Sequence, residues 1–407
     1  METEIDNAAL DLEKKRALLI RAAELLHRYG TPSHRLEGVM KRVSRSLGIE
    51  ADFLYTPTSL FVSFQHEERR AQLMRVDAGP IELGKLAEFD EALERLERRQ
   101  CTLDESAAEF RQIETAPHRF PEWLVAVSTA VASACATTFL GGGWAELAIA
   151  AMLGFLVHGL GLWLNWLAPG ERLLEVLAAF GCAILSLLVS RFIFPLDDRV
   201  ATLGSLIVLL PGLSVTIAMT ELANRHLSSG VSRLAGAGVV FLTLAVGVAL
   251  AWRLGASLRP AEVTATTLPA LVKYVAVFIA PFCFIVLFQA RIQDWLQICS
   301  VAWLGFLAAD FSQQAYGAEW GAFLGASVIG LLSNIYARRY NRPSLIPQIP
   351  AILMLVPGSL GYLSVAAFID RQGVQGVETA FTMSIVAVAL AGGLITANVV
   401  CAPKRFL

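Results

Sequence analysis

Apolar residues recur at helical spacing from Asp6 to Tyr29, at Leu10, Leu12, Ala17, Leu18, Leu19, Ala22, Leu25 and Leu26, and Gly30 closes the run. A second helix is expected at once. Thr31 is placed to cap it, Pro32 has the fixed φ that suits a first helical position, and the run continues through Val39, Met40 and Val43 to Gly48. Three β-prone stretches follow, Phe53-Leu-Tyr55, Leu60 to Phe64 and Gln72 to Val76. They are separated by turn signals at Thr56-Pro57, His66-Glu-Glu68 and Asp77-Ala-Gly79. An amphipathic helix over Leu83 to Arg99 and another opened by the Thr102/Glu105 capping-box pair complete a small α+β domain, residues 1–118.

From residue 119 the pattern changes from stripes to solid apolar blocks. A helix needs about 20 apolar residues to cross hydrocarbon, and ten blocks meet or nearly meet that length: 122–141, 144–167, 172–194, 200–222, 231–252, 268–289, 294–310, 319–337, 346–369 and 377–400. Tryptophans at 123, 144, 163, 166, 252, 295 and 320 sit near the proposed ends, where an amphipathic ring prefers the headgroup layer, and Trp303 falls mid-span. The expected fold is therefore a mainly α polytopic membrane protein. Ten transmembrane helices fall into two five-helix halves, residues 119–260 and 261–407, beside the α+β domain.

Composition sharpens this division. The 407 residues are 55% hydrophobic and 17% charged, with a formal net charge of −2, and the mean hydropathy is +0.57. Residues 1–118 carry 17 Lys/Arg and 22 Asp/Glu, leaving 16 and 13 for the other 289. Such a chain is not an ordinary soluble enzyme, and no basic surface for nucleic acid is available. No signal peptide is read at the amino terminus. The α+β domain and both termini are then expected in the cytoplasm, with the chain multi-pass in the cell (inner) membrane. Loop charges lean the same way. Arg172, Arg225, Arg233, Arg291, Arg338, Arg339, Arg342, Lys404 and Arg405 would be cytoplasmic, against Arg191, Arg199, Arg253, Arg259, Lys273 and Arg371 outside. The six cysteines form no C-x-x-C pair, so neither a disulfide framework, a metal site nor a cofactor is expected.

An internal echo points to chemistry. The fourth block reads Val208-Leu-Leu-Pro211-Gly212-Leu-Ser214-Val-Thr216, and the ninth reads Leu353-Met-Leu-Val-Pro357-Gly358-Ser359-Leu-Gly-Tyr362. Each is the fourth helix of its half. Five crossings per half reverse the sense of the second, so the halves would be inverted repeats whose Pro-Gly breaks face each other near the midplane. Proline removes an amide and glycine lets the chain unwind, leaving backbone groups that survive in a membrane only against protein or a cavity. Candidate substrate-binding residues are thus Pro211, Gly212, Ser214, Thr216, Pro357, Gly358, Ser359 and Tyr362, with Ser205, Thr220 and Ser364 nearby. A carrier driven by protons needs a group that changes charge, and Glu221, Asp310 and His158 are candidates for proton coupling or gating, with Glu146 at the start of the second block. In the α+β domain the stretch Thr31-Pro-Ser-His-Arg35 is the most distinctive, and its simplest reading is a helix start. His27, His34 and His66 read as residues on a solvated face.

Gly30-Thr-Pro-Ser-His-Arg35, Leu210-Pro-Gly-Leu213, Ser229-Gly230-Val-Ser-Arg233 and Pro350-Ala-Ile-Leu-Met-Leu-Val-Pro-Gly358 together resemble the threonine/serine exporter family in its fused form. The resemblance implies a cytoplasmic amino-terminal region with ten membrane helices, and proton-driven efflux of small hydroxylated amino acids. It marks Pro211, Gly212, Arg233, Pro357 and Gly358, adding Arg233 to the gating candidates. Split relatives in the family are associated with succinate export, so a small dicarboxylate is the alternative substrate. A membrane-bound sensor is a third reading, and no motif supports an enzyme. The expected partners are a small-molecule substrate (amino acid or dicarboxylate), protons and the lipid bilayer. A homo-oligomer is compatible with the sequence.

Overall fold

The computed structural model describes residues 2–64, 70–76, 79–167, 173–256, 268–369 and 371–403. Of the features read from sequence, the His66–Glu68 turn, Asp77-Ala78, the 260/261 repeat boundary, Arg172, Arg259, Lys404 and Arg405 lie outside them.

Two helices, α1 (Glu2–Arg28) and α2 (Ser33–Ser46), precede an antiparallel sheet in the order β1 (Ala51–Thr56), β2 (Ser59–Phe64), β3 (Arg70–Arg75). The register pairs Phe53 with Val62 and Tyr55 with Leu60. Alternation puts Ala51, Phe53 and Tyr55 inward, against the helices. Helices α3 (Leu83–Glu97) and α4 (Leu103–Thr115) close the layer, with the Phe89 and Phe110 rings 4.6 Å apart. The Thr102/Glu105 capping box forms as expected, with both reciprocal bonds present.

The membrane part runs α5 (Glu122–Phe139), α6 (Trp144–Leu167), α7 (Leu174–Phe192), α8 (Asp198–Ser205), α9 (Gly212–Ala223), α10 (Leu227–Leu254), α11 (Ala270–Leu287), α12 (Trp295–Tyr316), α13 (Ala318–Tyr340), α14 (Leu345–Leu353), α15 (Gly358–Ile369) and α16 (Gly373–Val400). Among the described residues, nine helices are long and apolar enough to cross a membrane, counting α14 with α15 as one. A tenth is reached only if α8 and the segment Ile207–Ala223 are one span, bent by 50°. Exposed apolar stripes such as Val239, Leu242, Val246 and Leu250 on α10 belong against lipid, because water would not tolerate them. The chain is a multi-pass membrane protein.

One span reading shifts. The seventh continues to Tyr316 rather than ending at 310, because Asp310 is neutralised by Lys273 at 2.7 Å and accepts from Gln314, which lets the helix carry a carboxylate onward. The ninth, 346–369, unwinds over 354–357, at the Pro357-Gly358 break read from the sequence.

The α+β domain does not hang free. Its core, from Leu18 to Ile113, continues into Ile285, Ile298, Cys299, Tyr336, Leu345, Ile346 and Ile349 of the membrane helices. Helix α3 has no side-chain cap, and its first amides donate instead to the α11–α12 connection, Leu83 N to Phe288 O at 2.9 Å and Gly84 N to Gln289 O at 3.2 Å. Arg291 pairs with Glu91 at 2.6 Å beside it.

Candidate functional site

The two Pro-Gly breaks touch. Helix α8 ends at Ser205, a 3-10 turn covers Ile207–Leu209, and α9 starts at Gly212 directly after Pro211. In the other half α14 ends at Leu353 and α15 starts at Gly358 directly after Pro357. Backbone meets backbone at the crossing. A Cβ on Gly212 would lie 2.2 Å from Val356 Cγ1 and 2.8 Å from Gly358 Cα; one on Gly358 would lie 3.3 Å from Leu210 Cβ and 3.4 Å from Gly212 Cα. Only glycine permits this approach at 212, whereas 358 is tight but less so.

A cavity of about 620 Å³ opens against the crossing. Both breaks line it, together with α5, α11, the first turn of α7 and Val240 of α10. Its polar side chains are few. Ser214 and Ser359 contribute one hydroxyl from each broken span, and among the described residues neither hydroxyl has a protein partner. Glu175 at the start of α7 also lines it, a residue that the sequence reading missed because a single carboxylate opening an apolar block looks interfacial.

The other hydroxyls serve the helices. Thr216 donates to the Gly212 carbonyl at 3.3 Å, Thr220 to Thr216, Ser205 to Thr202, and Ser364 to Gly376. Tyr362 is buried in the apolar core with Phe241 and Leu244. Thr216 and Tyr362 therefore stand behind the site rather than in it.

The remaining candidates form a second constellation at the domain-side ends of the broken spans. Glu221, fully buried, accepts from Arg233 through two nitrogens at 3.2 Å, from Ser229 at 2.8 Å and from the Ser33 backbone amide at 3.0 Å. Ser33 and Ser229 share a hydroxyl bond of 2.7 Å. Two residues on, buried Arg35 donates to Ser344 at 2.6 Å and to Gln348 at 2.9 Å, at the start of α14. The first turn of α2 is thus bonded to both broken spans. This corrects the expected helix start: α2 begins at Ser33, Pro32 precedes it in an extended conformation, and the Thr31 hydroxyl is buried without a partner. The first amide is capped by Glu221 from across the fold, where a carboxylate also meets the positive end of the helix. Burial holds Arg35 down at about 10, so it stays charged. His34 is half-buried, yet its Nδ1 is shielded and unbonded. Burial, aided by Arg35, pulls its imidazole down to about 3.

Two candidates lie elsewhere. Asp310 pairs with Lys273 toward the far end of α12. His158, read as mid-membrane, faces Glu122 at 3.2 Å beside the first residue of α5, because α6 overruns that shorter helix. Glu146 is buried and accepts from the Gly143 and Asp197 amides, each at 2.8 Å, tying α6 to the loop before α8. The described residues contain no group of His, Cys, Asp and Glu suited to a metal.

Residues 17–255 match a family model described as a threonine/serine exporter, and residues 273–400 match a second, described as Threonine/Serine exporter, ThrE. The chain belongs to the threonine/serine exporter family. Of the four stretches that carry the resemblance, the two breaks touch each other, and Ser33 in the first turn of α2 bonds to Ser229 of Ser229–Arg233. Members of wider reach are similar over most of the chain. Pheromone-regulated membrane protein 10 of Saccharomyces cerevisiae is 28% identical over 375 residues, 88% of this chain and 48% of its own length. An uncharacterized protein of Schizosaccharomyces pombe is 26% identical over 396 residues, 90% of this chain and 45% of its own length. The protein of the first name in Candida glabrata is 27% identical over 406 residues, 93% of this chain and 50% of its own. The chain spans about half the length of these relatives. No solved structure matches it.

Proposed function

We propose that this member of the transporter family is a secondary carrier that exports threonine, serine or a similar small amino acid across the cytoplasmic (inner) membrane, driven by the proton gradient. The observation that carries the reading is the contact of Gly212 with Gly358 beside a cavity of about 620 Å³ whose two serine hydroxyls have no partner among the described residues. That volume falls within the range of small-molecule sites. The orphan amides at the starts of α9 and α15 suit a carboxylate, and Ser214 and Ser359 suit a hydroxyl.

Ten spans arranged as inverted five-helix repeats follow from the same reading. Helix α7 packs on α10 as α13 packs on α16, α6 on α8 as α12 on α14, and α9 on α16 as α10 on α15. Helices α5 and α11, the first of each half, pack on each other. Alternating access then consists of one repeat rocking on the other about the glycine crossing. The α+β domain faces the cytoplasm, as do both termini, and its α2 turn bolts the inner ends of the two broken spans together. Protonation of Glu221 would release Arg233, Ser229 and the Ser33 amide at once, which couples a proton to the bolt. Asp310 with Lys273 is the corresponding pair toward the outer side.

Flux in proteoliposomes tests the reading. Threonine or serine should exchange across the membrane and respond to an imposed pH gradient. Succinate flux without amino-acid flux would replace the substrate by a dicarboxylate, and binding without flux of either would favour a sensor.

A further inference from the structure

The cavity has one ionisable carboxylate among its lining residues, Glu175, and the rest of its lining is apolar apart from Ser214, Ser359, the Cys135 thiol and the exposed backbone of the breaks. Every other carboxylate discussed above is committed. Glu221 has Arg233, Asp310 has Lys273, Glu146 has two amides, and Glu122 has His158. Glu175 has neither a hydrogen bond nor an ion pair among the described residues.

Its placement is fixed by packing. On one side Leu174 reaches toward α6, where its Cδ2 lies 3.5 Å from the position a Cβ on Gly161 would take. On the other, the Val176 carbonyl lies 2.5 Å from the position of a Cβ on Gly247 of α10. Gly247 lets the first turn of α7 sit tightly against α10, while its contact with α6 at Gly161 is an ordinary one. Glu175 is half-buried, and a carboxylate at the edge of a largely apolar cleft attracts a cationic group that enters more strongly than it would in open water.

We propose that Glu175 is the charge-selecting residue of the cavity: it receives the ammonium group of an amino-acid substrate and disfavours dianions. The assignment rests on the carrier reading above and deepens it, since a dicarboxylate would meet like charge at this position. A carboxylate in a first helical turn also interacts favourably with its own helix, which is the purely structural account of the same residue. That account gives Glu175 no influence on which solute is chosen.

The experiment compares the full chain and its Glu175→Gln and Glu175→Asp variants in proteoliposomes. Three solutes are used: L-threonine, 2,3-dihydroxybutanoate (the same skeleton with a hydroxyl for the ammonium) and succinate. Thermal melting without solute serves as the folding control. The wild-type chain should prefer threonine over the deaminated analogue by about tenfold or more, the scale of one charge-assisted hydrogen bond. Glu175→Gln should raise the KM for threonine by about that factor, leave the analogue unchanged and retain the melting temperature. Glu175→Asp should recover part of the preference. Wild-type flux with the same threonine-to-analogue ratio in Glu175→Gln, or a wild-type preference for succinate, would overturn the assignment while leaving a carrier. Wild-type liposomes that move none of the three would overturn the carrier reading and this assignment with it.

Discussion

The two polar regions of the membrane half differ in how their groups are satisfied. At the bolt, the Glu221 carboxylate has four bonds to Arg233, Ser229 and Ser33, and the Arg35 guanidinium has two acceptors. In the cavity, Ser214, Ser359 and Glu175 have no protein partner among the described residues. Buried polar groups are normally paired because an unpaired one costs about 1–3 kcal/mol, and those of the bolt follow the rule. The cavity groups are only half-buried, which leaves them open to water or, in the function proposed above, to a solute.

The sharpest way to break this contrast is to fill the glycine crossing between the two regions. Gly212→Leu puts a side chain where even a Cβ comes within 2.2 Å of Val356. Flux should fall by about 5- to 150-fold, because rearranging an overpacked crossing costs about 1–3 kcal/mol. Membrane insertion and monodispersity should be retained. Gly358→Ala should be milder than Gly212→Ala, since its Cβ meets its nearest atom only at 3.3 Å. Equal effects at the two positions, or normal flux in Gly212→Leu, would remove the crossing from the transport cycle.

Loosening the bolt comes next. Arg35→Met removes a buried charge-assisted pair of bonds to α14, worth about 2–3 kcal/mol. Hydrogen exchange of the α2 amides should speed up on the order of 100-fold. Unchanged protection would mean that the domain is held by its apolar core alone. The same measurement has a pH dependence whose sign is set by His34. Docked, its imidazole titrates at about 3; undocked, it titrates near the ordinary 6.5. The undocked state therefore binds the extra proton, and docking weakens as pH falls below 6.5, by about tenfold between pH 7.5 and 5.5. Arg35, Arg233 and His226 oppose a proton there and Glu221 favours it. Burial pushes the Glu37 carboxyl up beside His226, which acts in the opposite sense at lower pH. His34→Gln should flatten the response above pH 5.5.

The sequence carried the spans and the breaks because both are local signals. Apolar length and Pro-Gly pairs need no knowledge of the fold, and the strands and the Thr102 capping box were legible for the same reason. The cap of α2 was not. Thr31 has the right type and position, but the Ser33 amide is capped by Glu221, 188 residues further along the chain, and no spacing rule reaches that far. Hydroxyls were legible only as a set, since Ser214 and Thr216 look alike in sequence. One faces the cavity and the other bonds back to Gly212. His158 stands near the centre of its own block, and only the packing of α6 on the shorter α5 brings it to Glu122 at that helix's start; Glu175 gives no signal because carboxylates at block ends are ordinary.

That last distinction among hydroxyls yields the smallest and most selective effect. Ser214→Ala and Ser359→Ala each remove one neutral hydrogen bond to a bound hydroxylated solute, about 1 kcal/mol, or roughly fivefold in KM. Neither variant should change the melting temperature, because neither hydroxyl has a partner among the described residues to lose. Thr216→Val should do the reverse, shifting stability slightly and leaving KM unchanged, since its hydroxyl is spent on the Gly212 carbonyl. The pair of serines also tests the symmetry of the site. If the solute bridges both spans, the double variant costs more than the sum of the two; if it sits on one span, one serine alone accounts for the loss.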